Sequence, residues 1–242
     1  MFTLDEQVFL ERFRALLAID STTGHCRAIE DYLAREIEKL GFGVIRPHKG
    51  GVIADLGGEG DTLCLTAHVD DIGLMVRRIN ADGTLNVCPV GGLHPFYAVM
   101  ENVRVHTRDG KEYTGSICRT PNSIHVTEEE LRQELPDWRK NVCVVLDEDV
   151  HSPEDVRRLG IETGDMIALE PRLVCSNGYL KSRFVDDKAC AALLLLCGKS
   201  SQLPVSFRVG SREPEAARCS RRNSAKRPQP ASKTMASCSK YL

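Results

Sequence analysis

With 242 residues, 42% of them hydrophobic, the chain has the material for one large domain or two modest ones, and a folded globular protein is expected. The net charge of −2 gives no electrostatic reason for a nucleic-acid or membrane partner, yet it is unevenly spread: the segment from Gly198 carries ten Lys/Arg against two acids, and the rest 22 against 32. Ten cysteines, with neither a C-x-x-C pair nor a dense framework, read as reduced thiols of a cytoplasmic protein, several of them core residues.

The opening stretch, MFTLDEQVFLERFRALL, predicts an amphipathic helix; it has acids before its apolar positions and no basic leader, so a signal peptide is not expected. Ile29, Tyr32, Leu33, Ile37 and Leu40 recur at helical spacing and Gly41 follows, which predicts a helix from about Arg27 to Leu40. FGVI, VIADL and TLCLTA read as short strands separated by KGG and GGEGD turns, and helices followed by apolar strands suggest a three-layer α/β body.

After Gly73 the pattern turns to strands and hairpin turns, LMVRRI, Asp82-Gly83, VRVHT, Asp109-Gly110 and EYTGSIC, as in a separate β-rich module. TEEELRQEL and SPEDVRRLG interrupt it as helical pieces, the second with Ser152 as N-cap, Pro153 at the first helical position and Gly160 beyond its end. A turn at TGD and a hairpin turn at Asn177-Gly178 precede VDDKACAALLLL, a buried helix that returns the chain to the α/β body. The longest apolar run, Ala189 to Cys197, is less than half of the roughly 20 residues that span a bilayer, and a soluble protein is expected. From Gly198 on, nine Ser, four Pro and ten Lys/Arg in 45 residues predict a disordered tail.

Two stretches carry charged groups among apolar neighbours. In LCLTAHVDDIG the predicted strand brings His68 and Asp70 to its carboxyl end, where open α/β sheets bind ligands. Alternation puts both on one face, where the carboxylate can accept from the imidazole and fix its tautomer for metal binding. A solvated strand end with a hydrogen-bonded histidine fits the same spacing. In SRFVDDKAC, Asp186 or Asp187 is either the N-cap of the following helix or a carboxylate able to bridge two metal ions about 3.5 to 4 Å apart. His94 and His125 fall in turn-like segments and read as surface residues, while His25, His48, His106 and His151 fit no ligand pattern. No G-x-S-x-G elbow, phosphate-cradling loop or aromatic-interleaved basic patch occurs, so nucleophilic-hydrolase, nucleotide-binding and RNA-binding readings find no support.

In that order, AHVDDIGLMV, VGGLHPFYAV, VHSPEDVRRLGIETGD and KSRFVDDKACAALLLL resemble the di-metal aminopeptidases that include glutamyl aminopeptidase and the tetrahedral aminopeptidases, some of them labelled cellulase M. The resemblance covers roughly residues 5 to 196. It implies an α/β, incomplete three-layer metallopeptidase body with an inserted β-rich dimerisation domain: body residues 1–70 and 171–197, insert 71–170, and a disordered, out-of-frame tail at 198–242. By the same resemblance His68 is a ligand of one metal, Asp70 the catalytic carboxylate that orients it, and Asp186 the bridging ligand. Asp71 stands where the family usually has glutamate.

The implied cofactors are two divalent ions, zinc, cobalt or manganese, which activate a water for attack on the N-terminal peptide bond with a glutamate as general base. A peptide substrate, self-association through the β-rich domain and a cytoplasmic location are implied with them. In the family that glutamate belongs to an adjacent Glu-Glu pair on a strand after the buried helix, and an aspartate and a histidine follow. Here no such pair, aspartate or histidine occurs after Asp187; the later acids are Glu213 and Glu215. A frameshift near Cys197 accounts for the loss and the charge reversal together. The expected outcome is a metallo-aminopeptidase by family with negligible hydrolysis by this chain; a non-catalytic dimerisation or interaction module is the alternative.

Overall fold

The computed structural model describes residues 5–57, 63–121, 123, 125, 128–129, 133–199 and 205–210, the last segment and residues 198–199 as backbone only. Helix α1 (Glu6–Leu17) starts where Asp5 Oδ1 accepts from the amides of Gln7 and Val8, and it buries Phe13, Leu16 and Leu17. Helix α2 (Arg27–Lys39) buries Ile29, Leu33, Ala34 and Ile37, the face predicted by its periodicity, and Gly41 follows in the left-handed region.

Strands β1 (Val44–Ile45), β2 (Val52–Ala54) and β3 (Leu63–His68) correspond to the three predicted strands. Next come β4 (Gly73–Ile79), β5 (Leu85–Val90), β6 (Asn102–His106), β7 (Glu112–Arg119), β8 (Val142–Leu146), the capped helix α3 (Pro153–Leu159) and β9 (Met166–Leu169). A hairpin of β10 (Val174–Ser176) and β11 (Tyr179–Lys181) precedes helix α4 (Val185–Lys199) and strand β12 (Val205–Gly210). The predicted helix at TEEELRQEL lies largely outside the described residues.

Two sheets organise these elements. One runs β1-β2-β12-β3, with α4 against β3, α1 against α4, and α2 against β1, β2 and α4. The other is a closed barrel, β4-β5-β8-β7-β6-β9, whose interior holds Leu74, Val76, Leu85, Val105, Ile117, Val144 and Ile167, all buried. Closure pairs every strand edge, the physical alternative to leaving one exposed. Each fully buried aliphatic of this kind contributes about 1.5–3 kcal/mol of transfer free energy. Together the sheets make a mixed α/β fold. Among the described residues no helix is long and apolar enough to cross a membrane.

Strand β12 falls within the segment expected to be a tail. The tail was expected to be disordered from Gly198, yet α4 continues to Lys199 and β12 lies between β2 and β3, antiparallel to the first and parallel to the second from Val205↔Leu63 to Gly210↔His68. Val205, Phe207 and Val209 alternate with Ser206, Arg208 and Gly210, a strand pattern hidden when 45 residues are judged by overall composition. Residues 211–242 lie outside the described residues.

Candidate metal centre

Strand β3 ends at His68, and the loop that follows is pinned by the segment after α1. Asp71 N donates to Ser21 O at 2.9 Å, Thr23 N donates to Asp71 O at 3.1 Å, and Ser21 Oγ donates to Val69 O at 2.7 Å. The turn into the barrel needs Gly73: a Cβ there would lie 2.6 Å from the Thr22 side chain and 2.7 Å from Ile167 O. A rigid seat for the loop is the consequence.

On that seat His68 Nδ1 lies 3.2 Å from the Asp70 backbone oxygen and 3.4 Å from Asp70 Oδ1, while Thr23 Oγ1 donates to Asp70 Oδ2 at 2.7 Å. The spacing argument had the carboxylate as the imidazole's partner; the main-chain oxygen is nearer, and Oδ1 makes no well-directed hydrogen bond. Burial works to raise the Asp70 pKa, but His68 and Thr23 outweigh it and hold the group below its usual range. The Asp70 interaction in turn raises His68 to about 9 against the effect of burial, with Asp186 and Asp187 adding to the rise.

Asp186 arrives from the other side. Its backbone is extended (φ −85°, ψ 109°) and Asp187 is also non-helical, so both precede the regular part of α4. The Asp186–Asp187 peptide is cis. His68 Nε2 and Asp186 Oδ1 are 3.3 Å apart, and one donor atom each from His68, Asp186 and Asp187 falls within a 4.8 Å cluster. The sequence reading singled out Asp186; Asp187 is brought in beside it. The exposed Asp186 side chain leaves the cluster open to solvent. One imidazole nitrogen and carboxylate oxygens at this separation are a donor set that suits a divalent ion such as zinc, cobalt or manganese.

Beneath the cluster lies Lys188, which carried no sequence signal. Buried Lys188 donates to Asp71 Oδ2 at 2.5 Å and to Ile19 O at 3.0 Å, and Ser21 Oγ, whose one proton is shared with Val69 O, lies 3.0 Å from the same carboxylate oxygen. Burial pushes Asp71 up to about 6 despite Lys188 and Ser21. A lysine immediately before the apolar run ACAALLLL reads as helix surface until its partner is known.

A second group, Asp20, His106 and Glu112, also comes within 4.8 Å. Here Arg104 donates two hydrogen bonds to Asp20, at 2.7 and 2.5 Å, and His106 Nε2 lies 2.8 Å from the same carboxylate. The guanidinium already neutralises Asp20, which makes this a tie between the segment after α1 and strand β6 of the barrel. His94 accepts from Phe96 N in a local turn, and His151 is an exposed partner of Asp149.

The chain is thus a mixed α/β protein with a histidine-carboxylate cluster, a candidate divalent-metal site, at the carboxyl end of a sheet strand beside a closed β-barrel. Residues 50–205 match the family model of the M42 glutamyl aminopeptidases, and the chain belongs to that family. The match runs beyond residue 196, where the sequence resemblance was expected to stop. "Putative aminopeptidase YhfE" of Bacillus subtilis is 38% identical over 77% of this chain and 54% of its own length. Aminopeptidase APDkam598 of the archaeon Desulfurococcus kamchatkensis shares the fold, with a TM-score of 0.71 and 24% identity over 83% of this chain and 54% of its own. So does the Pyrococcus horikoshii TET1 peptidase, described as assembling into a tetrahedron or a large octahedral shell, with a TM-score of 0.70 and 22% identity over 83% and 59%. The chain spans about half the length of these relatives.

Proposed function

We propose that this chain carries part of the divalent-metal centre of an aminopeptidase, with His68 and Asp186 as ligands and Asp70 as the residue that orients His68. The observation behind this reading is the convergence of His68 Nε2 and Asp186 Oδ1, from the end of β3 and the start of α4, to 3.3 Å. A bound divalent ion would supply an activated water and stabilise the oxyanion of a peptide bond under attack. Asp70 orients the ring that presents Nε2 through its backbone oxygen, 3.2 Å from Nδ1, with its Thr23-held carboxylate beside the same nitrogen. Asp187 is a further carboxylate donor in the same cluster.

In this reading the barrel is an insertion in a three-layer α/β body and mediates self-association, as supported by the assembly described for the TET1 peptidase. Cys26, Cys64, Cys88, Cys118, Cys143 and Cys175 are thiols outside any disulfide, in keeping with a cytoplasmic location. Hydrolysis by this chain is expected to be negligible. One histidine and two neighbouring aspartates fall short of three protein ligands for each of two catalytic metals, and the chain has no Glu-Glu pair after Asp187 to supply the general base.

The test has two readouts on the purified 242-residue chain: equilibrium dialysis against cobalt or zinc, and cleavage of amino-acid anilides with the metal added. Saturable binding abolished by His68→Ala, with no cleavage, is the expected result. Metal-dependent cleavage would overturn the inactivity, and absence of saturable binding would overturn the metal centre.

A further inference from the structure

A cavity of about 470 Å³ lies on the barrel, lined by Arg77, Arg78, Arg108, Arg157, Glu162 and Thr163. We propose that this groove binds a small phosphate polyanion, of the pyrophosphate or triphosphate type, apart from the metal centre.

The arginines come from three places in the chain: strand β4, the turn after β6, and helix α3. Arg77 and Arg78 are consecutive, and in a regular strand they would point to opposite sides, one of them into the barrel core. The β4–β5 register shifts between Val76↔Val87 and Arg78↔Asn86, leaving Arg77 as an extra residue. That bulge gives both side chains the same cavity, and both residues are exposed.

The other two are held in place. Arg108 donates to Thr163 O at 2.9 Å and stands 3.6 Å from buried Asp165, while Arg157 donates to Glu154 at 3.3 Å. Among the described residues Arg77 and Arg78 form no ion pair. Arg108 and Arg157 thus have carboxylate partners, Glu162 among them at 3.8 Å from Arg108, and the positive charge of the groove left without a counter-ion is that of Arg77 and Arg78, on a body whose overall charge up to residue 197 is negative. Converging forks of this kind match phosphate oxygens pairwise, and like charges gathered in one cavity repel until an anion separates them.

The lining also restricts the occupant. Its apolar contribution is Ile79, with no aromatic ring on which a base could stack, which disfavours nucleotides and single-stranded nucleic acid. The volume suits a small molecule. Arg77 and Arg78 lie toward the far end of β4 from Gly73, about 15 Å along an extended strand from the loop that carries His68. The groove is thus a separate site.

Calorimetric titration of the 242-residue chain with sodium triphosphate, in metal-free buffer containing chelator, tests the assignment. Saturable one-site binding is expected, weakened about tenfold or more by Arg77→Gln with Arg78→Gln and weakened again by added salt. Arg108→Lys, which keeps the charge and loses the fork, should also weaken it, and provides a second reading should the double variant fail to fold. A tetraglutamate peptide should bind at least about tenfold more weakly than triphosphate. The proposal is overturned by no saturable heat at millimolar triphosphate, by unchanged affinity in folded variants, or by equal or tighter binding of the peptide.

Discussion

The Lys188 ammonium lies 2.5 Å from Asp71 Oδ2 with both side chains buried, and this contact joins the two loops that bear the candidate metal ligands. Asp71 follows Asp70 in the loop after β3, and Lys188 follows Asp187 at the start of α4. Their ion pair thus fixes the spacing between His68 and Asp186. Replacing one partner leaves the other charge buried without its counter-ion, a loss of about 3–5 kcal/mol. Lys188→Met is therefore expected to lower unfolding stability in urea by roughly that amount. The double variant Lys188→Met with Asp71→Leu should recover part of the loss. A Lys188→Met chain as stable as the parent would show that the pair does not join the loops.

Asp70 and His68 should separate in their effects on metal binding. His68→Ala removes a ligand, and cobalt binding by dialysis is expected to disappear. Asp70→Asn keeps the ligand and removes the charge that supports the ring, so affinity should fall about 10–100-fold without vanishing. Equal binding by Asp70→Asn and the parent would leave the ring held by the Asp70 backbone oxygen, 3.2 Å from Nδ1.

What could be read from the sequence follows the range of each signal. Ser152 with Pro153 and Gly160 predicted α3, and Asp82-Gly83, Asp109-Gly110 and Asn177-Gly178 predicted turns, because caps and left-handed residues act within a few positions. Closure of the barrel depends on β6 pairing with β9, from Val103↔Leu169 to His106↔Met166, a match between distant segments that no local pattern encodes. The same holds at the site. The two adjacent aspartates were visible; their meeting with His68, and the Lys188–Asp71 contact across 117 residues, needed the fold. His106 fitted no ligand pattern because its partner, Asp20, is 86 residues away.

Asp20 gives a pH dependence of stability. Burial acts to raise its pKa, but hydrogen bonds from Arg104 and His106 prevail and bring it from 3.8 to about 2. A carboxylate depressed in the folded state contributes stability that is complete above its unfolded pKa and is lost as pH falls through its folded one. The loss should therefore develop between about pH 4 and pH 2 and amount to about 2 kcal/mol. Asp20→Asn removes this component, and the urea midpoint of the variant should fall less steeply over that interval. An identical slope in parent and variant would exclude Asp20 as a source of acid sensitivity.

Strand β12 bears on the break in the reading frame expected near Cys197. It pairs with β3 in continuous register as far as Gly210↔His68. By resemblance, the strand after the buried helix is the one that bears the Glu-Glu pair, and in this fold that strand is β12. Its carboxyl end is beside His68, where parallel neighbours deliver their next residues to the same sheet edge. The sequence there reads SREPEAARCSRR, in which Glu213 and Glu215 flank Pro214 before arginine and serine take over. We expect the coding DNA downstream of codon 210, read in an alternative frame, to encode adjacent glutamates within about one turn's length of that strand end, followed by an aspartate and a histidine. Restoring that frame should add metal affinity and anilide cleavage together. Alternative frames closed by early stop codons, or open but lacking the glutamate pair, would mean that the basic segment is the authentic continuation of this chain.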